Sequence, residues 1–135
     1  MAAEPKTRPT DASVPDFIAA IENPARRADA ETICAMMTEA SGEPPVLWGP
    51  SIVGFGSYRG PTGDWPLVGF SPRKAKLVLY IMPGFAEQAE LLARLGKHKT
   101  GNSCLYLNRL ADADPAILRE LIDRSVVSVR AKYGN

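Results

Sequence analysis

Val46 to Met82 reads "VLWGPSIVGFGSYRGPTGDWPLVGFSPRKAKLVLYIM". Within it "VLW", "SIVGFGSY", "WPLVGF" and "KLVLYIM" are short runs of β-branched and aromatic residues, punctuated by glycine and proline, which is the pattern of successive strands. In the last run Leu77, Leu79 and Ile81 fall on one side, with Val78, Tyr80 and Met82 on the other. Both sides are apolar, so a strand buried on both faces is expected, central to a sheet. "SPRKAK" suits a turn with Pro72 at its second position, because proline pre-sets the φ required there. That reading puts Arg73 and Lys74 at a hairpin tip. Sequential strands joined by short loops predict an antiparallel meander.

Helical periodicity flanks this region. Val14 to Ile21, "VPDFIAAI", reads as a short helix with Ser13 as N-cap and Pro15 tolerated in the first turn. From about Arg26 to Ala40, residues Ala30, Ile33, Cys34 and Met37 recur on one helical face. Gly42 then fits the left-handed position that ends a helix, and Pro44-Pro45 forbid continuation. "PGFAEQAELLARLG" places Phe85, Ala89, Leu92 and Leu95 on one stripe and closes on Gly96. "SCLYLNRL" reads as a strand. The final helix has Asp114 as N-cap, Pro115 at its first position, and Leu118, Leu121, Ile122 and Val129 as its buried face. Arg130 and Lys132 sit near its C-terminal end, where the helix dipole favours cations. The expected order is α-α-β-β-β-β-α-β-α, an α+β domain over residues 14–135. It holds an antiparallel-rich sheet of about five strands packed by helices, after a flexible arm at residues 1–13.

At 135 residues the chain suffices for one core, and its 45% hydrophobic and 23% charged content is that of a globular protein. The arm "MAAEPKTRPTDASVP" lacks the apolar core of a signal peptide, and no apolar run approaches the ~20 residues of a membrane helix. Cys34 and Cys104 form no CxxC pair and suggest no disulfide framework. They are expected to be small buried hydrophobes in a cytoplasmic protein. The net charge of +1 conceals a division: residues 1–44 carry four Lys/Arg against eight Asp/Glu, and residues 73–109 carry seven against two. Such asymmetry can mark surfaces for partners of opposite sign.

The chain's one histidine lies in "LGKHKTGNSCLYL", Leu95 to Leu107. This is not a Walker A loop. Gly96 to Gly101 is followed by Asn102-Ser103 rather than Lys-Ser/Thr, and its context is helix, loop, strand instead of strand, loop, helix. The residues still suit an anion: Lys97 and Lys99 as point charges and His98 as a directional donor. A catalytic set is hard to assemble, since a lone imidazole has no neighbouring carboxylate to orient it, which leans against an enzyme without deciding the matter. One His and two distant Cys do not make a zinc site. Acidic residues of the second helix, Asp29, Glu31 and Glu39, supply oxygen ligands of the kind a hard cation takes. Trp48, Tyr58, Trp65 and Phe70 border Gly49, Gly54, Gly56 and Gly69, so rings either fill the glycine gaps or line a pocket there. Nucleic acid is not expected, because the nearly neutral chain carries no recognised module.

Four phrases taken together, "LWGPSIVGFGSY", "GDWPLVGFSPRK", "LYIMPGF" and "LGKHKTGNSCLYLNRLADAD", resemble the YdhG-like domain family, a bacterial domain of unknown function. The resemblance runs from about Pro24 to Val129. It implies a compact α+β domain with an antiparallel sheet. A relative in the wider family is regarded as a frataxin-like iron chaperone for iron–sulfur assembly, which by resemblance makes iron the alternative cargo, held by Asp29, Glu31 and Glu39. The loop "YRGPTGDW" is shorter than the family's form, and Asn102 stands where a lysine is commoner.

The combined expectation is a non-catalytic binding or accessory domain for a small anionic ligand or an acidic protein partner. Its site would join Trp48, Gly49 and Trp65, as an apolar wall, to Arg73, Lys74, Lys97, His98 and Lys99.

Overall fold

The computed structural model describes residues 12–49, 52–60, 63–73, 76–81, 89–100 and 104–133. The fold is α+β, with four helices and an open antiparallel sheet of six strands. Helix α1 (Val14–Ala19) starts where Ser13 accepts the Asp16 N–H at 3.2 Å. Helix α2 (Pro24–Ser41) begins two residues earlier than the apolar spacing suggests. Asn23 accepts the Arg26 N–H, and Pro24 occupies the first position, where its missing donor costs nothing. Gly42 ends α2 at φ +71°. Ser41 closes the last turn, its hydroxyl donating to the Met37 carbonyl at 2.8 Å. Helix α3 (Ala89–Leu95) is followed by Gly96, and α4 (Pro115–Tyr133) is capped by Asp114, whose Oδ1 accepts the Ala116 N–H at 2.9 Å. Arg130 of α4 donates to the Ser41 carbonyl, so one helix satisfies the frayed end of another.

The apolar runs become β1 (Pro45–Trp48), β2 (Ile52–Phe55), β3 (Tyr58–Gly60), β4 (Gly63–Trp65), β5 (Val68–Pro72) and β6 (Leu77–Ile81); β7 (Lys99–Thr100) and β8 (Cys104–Leu107) follow α3. The sheet order is β1-β2-β5-β6-β8-β7, and β3 pairs with β4 as a separate ribbon. One long hairpin therefore runs from β2 to β5, kinked where Gly56 takes φ +64° opposite the buried Leu67. Two predicted runs, "SIVGFGSY" and "WPLVGF", each split at that kink. Period-2 alternation cannot register it, because the break lies in one backbone angle rather than in hydrophobicity.

Other expectations need correction. The sheet has six strands rather than about five, because Lys99 and Thr100 are an edge strand on β8 and not part of a turn. Pro72 is the last residue of β5, paired with Leu77, so Arg73 follows the strand; Lys74 lies outside the described residues, as do Met82, Phe85 and most of the N-terminal arm. Neither cysteine is fully buried.

β6 sits between β5 and β8, as its two apolar sides require. The helix-covered core joins Ile33 and Met37 of α2 and Leu121 and Ile122 of α4 to Phe55, Phe70, Leu79 and Leu105 of the sheet. Phe55 and Phe70 stack with ring centroids 6.4 Å apart. No helix of the described residues is long and apolar enough to cross a membrane.

Candidate functional site

Strand order separates the expected site. Trp48 and Gly49 close β1 at one edge of the sheet, whereas Lys99 lies in β7 at the other. Five inter-strand spacings intervene, roughly 24 Å at the usual separation. Trp48 is moreover only 2% exposed. A Cβ placed on Gly54 would come within 2.7 Å of the indole Cδ1 and Nε1, so the ring fills the gap that this glycine leaves. Trp65, half-buried, precedes β5, while exposed Arg73 follows it at the far end. His98 stands 2.7 Å from the Gly96 carbonyl through Nδ1. A carbonyl can only accept, so that ring proton is already committed. The tryptophan wall and the lysine turn thus form no common surface.

Register does unite part of the cationic set. Across the sheet Ser71, Val78, Tyr106 and Lys99 are successive partners, and so are Gly69, Tyr80 and Cys104. Partners directly opposite point to the same side, which puts Tyr80, Cys104, Tyr106 and Lys99 together on the face away from the helices. Arg73 donates to the Tyr80 hydroxyl at 2.9 Å. Burial pushes the Tyr80 phenol above its ordinary value near 10, against the opposing pull of Arg73. A hydrogen bond with Cys104 raises Tyr106. Between the ordinary and the raised value the unfolded chain releases the Tyr80 proton while the native chain holds it, so stability falls as pH rises through that window. Tyr80→Phe is accordingly expected to flatten the loss of unfolding free energy above pH ~10, as measured by urea titration. An unchanged slope would contradict the assignment.

A second place was not anticipated. A cleft of about 650 Å³ opens between the α1–α2 connection and the end of β5, lined by Ala20, Ile21, Glu22, Asn23, Arg26 and Pro72. Arg26 anchors it. Its Nη2 donates to the Asn108 carbonyl at 3.0 Å, tying α2 to the end of β8. Its Nη1 is buried and has no hydrogen-bond partner among the described residues. Lys76 donates to Asn108 Oδ1 at 2.7 Å, and Arg27 Nε to the Ile21 carbonyl at 3.0 Å. Among the described residues no carboxylate pairs with Arg26, Arg27 or Lys76. Arg119, Arg124 and Arg130 by contrast each have an acidic partner, Arg119 having both Glu39 and Asp123.

A local signal for this cleft did exist in the sequence. The first turn of α2 carries two arginines and no acid, although a helix N-terminus favours anions. A residue choice that conflicts with its local setting is characteristic of functional positions.

The proposed cation ligands do not assemble. Asp29 Oδ2 accepts the Leu110 N–H at 3.0 Å, holding the segment before α4. Glu39 pairs with Arg119 at 3.0 Å, and Glu31 is exposed. No cluster of three or more His, Cys, Asp or Glu suited to a metal occurs among the described residues. No family model, curated protein or solved structure matches the chain.

Proposed function

We propose that this is a non-catalytic binding domain for a small anion, and that the Arg26 cleft, rather than the tryptophan–lysine surface, is where the anion sits. The observation carrying this reading is Arg26, which lines the cleft and whose buried Nη1 has no hydrogen-bond partner among the described residues. An unsatisfied buried donor of this kind costs about 1–3 kcal/mol, more when charged, and an incoming anion recovers that cost. Arg27 and Lys76, which have no carboxylate partner among the described residues, and the N-terminal end of the 18-residue α2 add positive potential. Glu22, on the lining, leaves room for only modest net charge in the ligand. The reading retains the YdhG-like resemblance and a cytoplasmic setting as parts of the proposal.

The test is calorimetric titration with acetate and with inorganic phosphate. At least one of these anions is expected to bind, and Arg26→Gln to weaken it about tenfold, the scale of one charge-assisted hydrogen bond. High salt should reduce the affinity less than it would for exposed lysines, because buried charges are poorly screened. Absence of binding by either anion, or full affinity in the variant, would refute the reading.

A further inference from the structure

Resting on that reading, we infer that the ligand is a monocarboxylate with an apolar body, such as a short acyl or aryl acid, rather than a bare inorganic anion. Three features select it. First, the charge available is small. Arg26 is the one cation and Glu22 the one carboxylate among the described lining residues, so the lining is balanced. Any anion adds negative charge to this balanced lining, and a doubly charged phosphate adds one charge more than a monoanion does.

Second, the donors are few. The Asn108 carbonyl already occupies Nη2, leaving Nη1 as the group without a partner. Phosphate sites generally converge several donors, from a glycine-rich loop or a row of backbone N–H groups. In α2 the opening turn is poor in them: Pro24 has no N–H, and the N–H groups of Arg26 and Arg27 are bonded to Asn23. One carboxylate oxygen suffices for what remains.

Third, half of the described lining residues are apolar. Ala20, Ile21 and Pro72 line the cleft beside the charged end. Its 650 Å³ falls within the roughly 300–1,000 Å³ typical of sites that bury small organic ligands. An acetate ion leaves that wall wet, but a hexanoate chain covers it.

Calorimetry with three probes separates the possibilities. Hexanoate is expected to bind at least ~10-fold more tightly than acetate, from partial burial of its added methylenes, and phosphate more weakly than hexanoate. Ile21→Ser should remove most of that advantage, read as the ratio of hexanoate to acetate affinity within the variant. The Ile21 carbonyl that anchors Arg27 is backbone and survives the substitution, and an unfolding midpoint in urea equal to that of the wild type verifies that the fold is intact. Arg26→Gln should weaken acetate and hexanoate by the same factor. Equal affinity for acetate and hexanoate would overturn the apolar-body inference while the anion-binding reading stands. Tightest binding by phosphate would overturn the monocarboxylate assignment in the same way. If none of the three binds, the underlying reading fails as well.

Discussion

A Gly96→Ala variant is expected to lose about 3 kcal/mol or more of unfolding free energy, a sum of backbone strain and overpacking. Gly96 takes φ +119°, a conformation open essentially to glycine alone. A Cβ there would lie 2.2 Å from the Asp112 carbonyl oxygen, and the obstacle is main chain, which cannot rotate aside. The close approach belongs to a junction: Gly96 bridges Ala113, and the Asp114 N–H donates to the Leu95 carbonyl at 2.7 Å. Separating these strands of chain would pull the end of α3 from the start of α4 and expose Leu95, which is 1% accessible. Gly42→Ala is the internal comparison. It also has positive φ, +71°, but a Cβ would meet nothing within 4 Å. Its expected cost is about 1 kcal/mol, the conformational penalty by itself. Urea titration of the two variants, with m values held to the wild-type slope, reads the difference as the clash. Equal losses at the two glycines would show that no steric contact is made at Gly96.

These two glycines also show what was legible in advance. Both were expected to end helices, and both do so with positive φ, because local spacing and a requirement for left-handed backbone are written in a few adjacent residues. The caps Ser13 and Asp114, and the central position of the "LVLYI" strand, were legible for the same local reason. The site was not. Its expected form needed the end of β1 and the segment after α3 to meet, and the sheet instead places them at opposite edges. Strand order is a non-local property: the composition of "VLWGP" and "LGKHKT" is the same whichever edge each occupies. The Arg26 cleft is non-local too. Its unpaired Nη1 is defined by where Asn108 lies, 82 positions along the chain. In the sequence Arg26 and Arg27 register as a cationic pair at a helix start, a conflict with the dipole that marks the position without showing what it lines.

The indole of Trp48 provides the second large effect, and its outcome separates core from ligand wall. Trp48→Ala is expected to destabilise the domain by about 3–5 kcal/mol, the usual range for emptying a large aromatic site. Affinity for acetate or hexanoate should stay within a factor of about two, since Trp48 is not among the residues that line the cleft. The geometry also predicts a coupling. Gly54→Ala in the wild-type background drives a methyl to 2.7 Å from the indole and 2.8 Å from the Pro66 Cβ. In a Trp48→Ala background the first obstacle has gone and only the proline remains. The penalty for Gly54→Ala should therefore be smaller there, with an interaction energy of roughly 0.5–3 kcal/mol, as for residues in direct contact. Four denaturation curves close the cycle. Strict additivity would mean that the indole does not occupy the space above Gly54. A loss of anion affinity in Trp48→Ala, with stability preserved, would return this ring to the binding surface and count against a site built on Arg26.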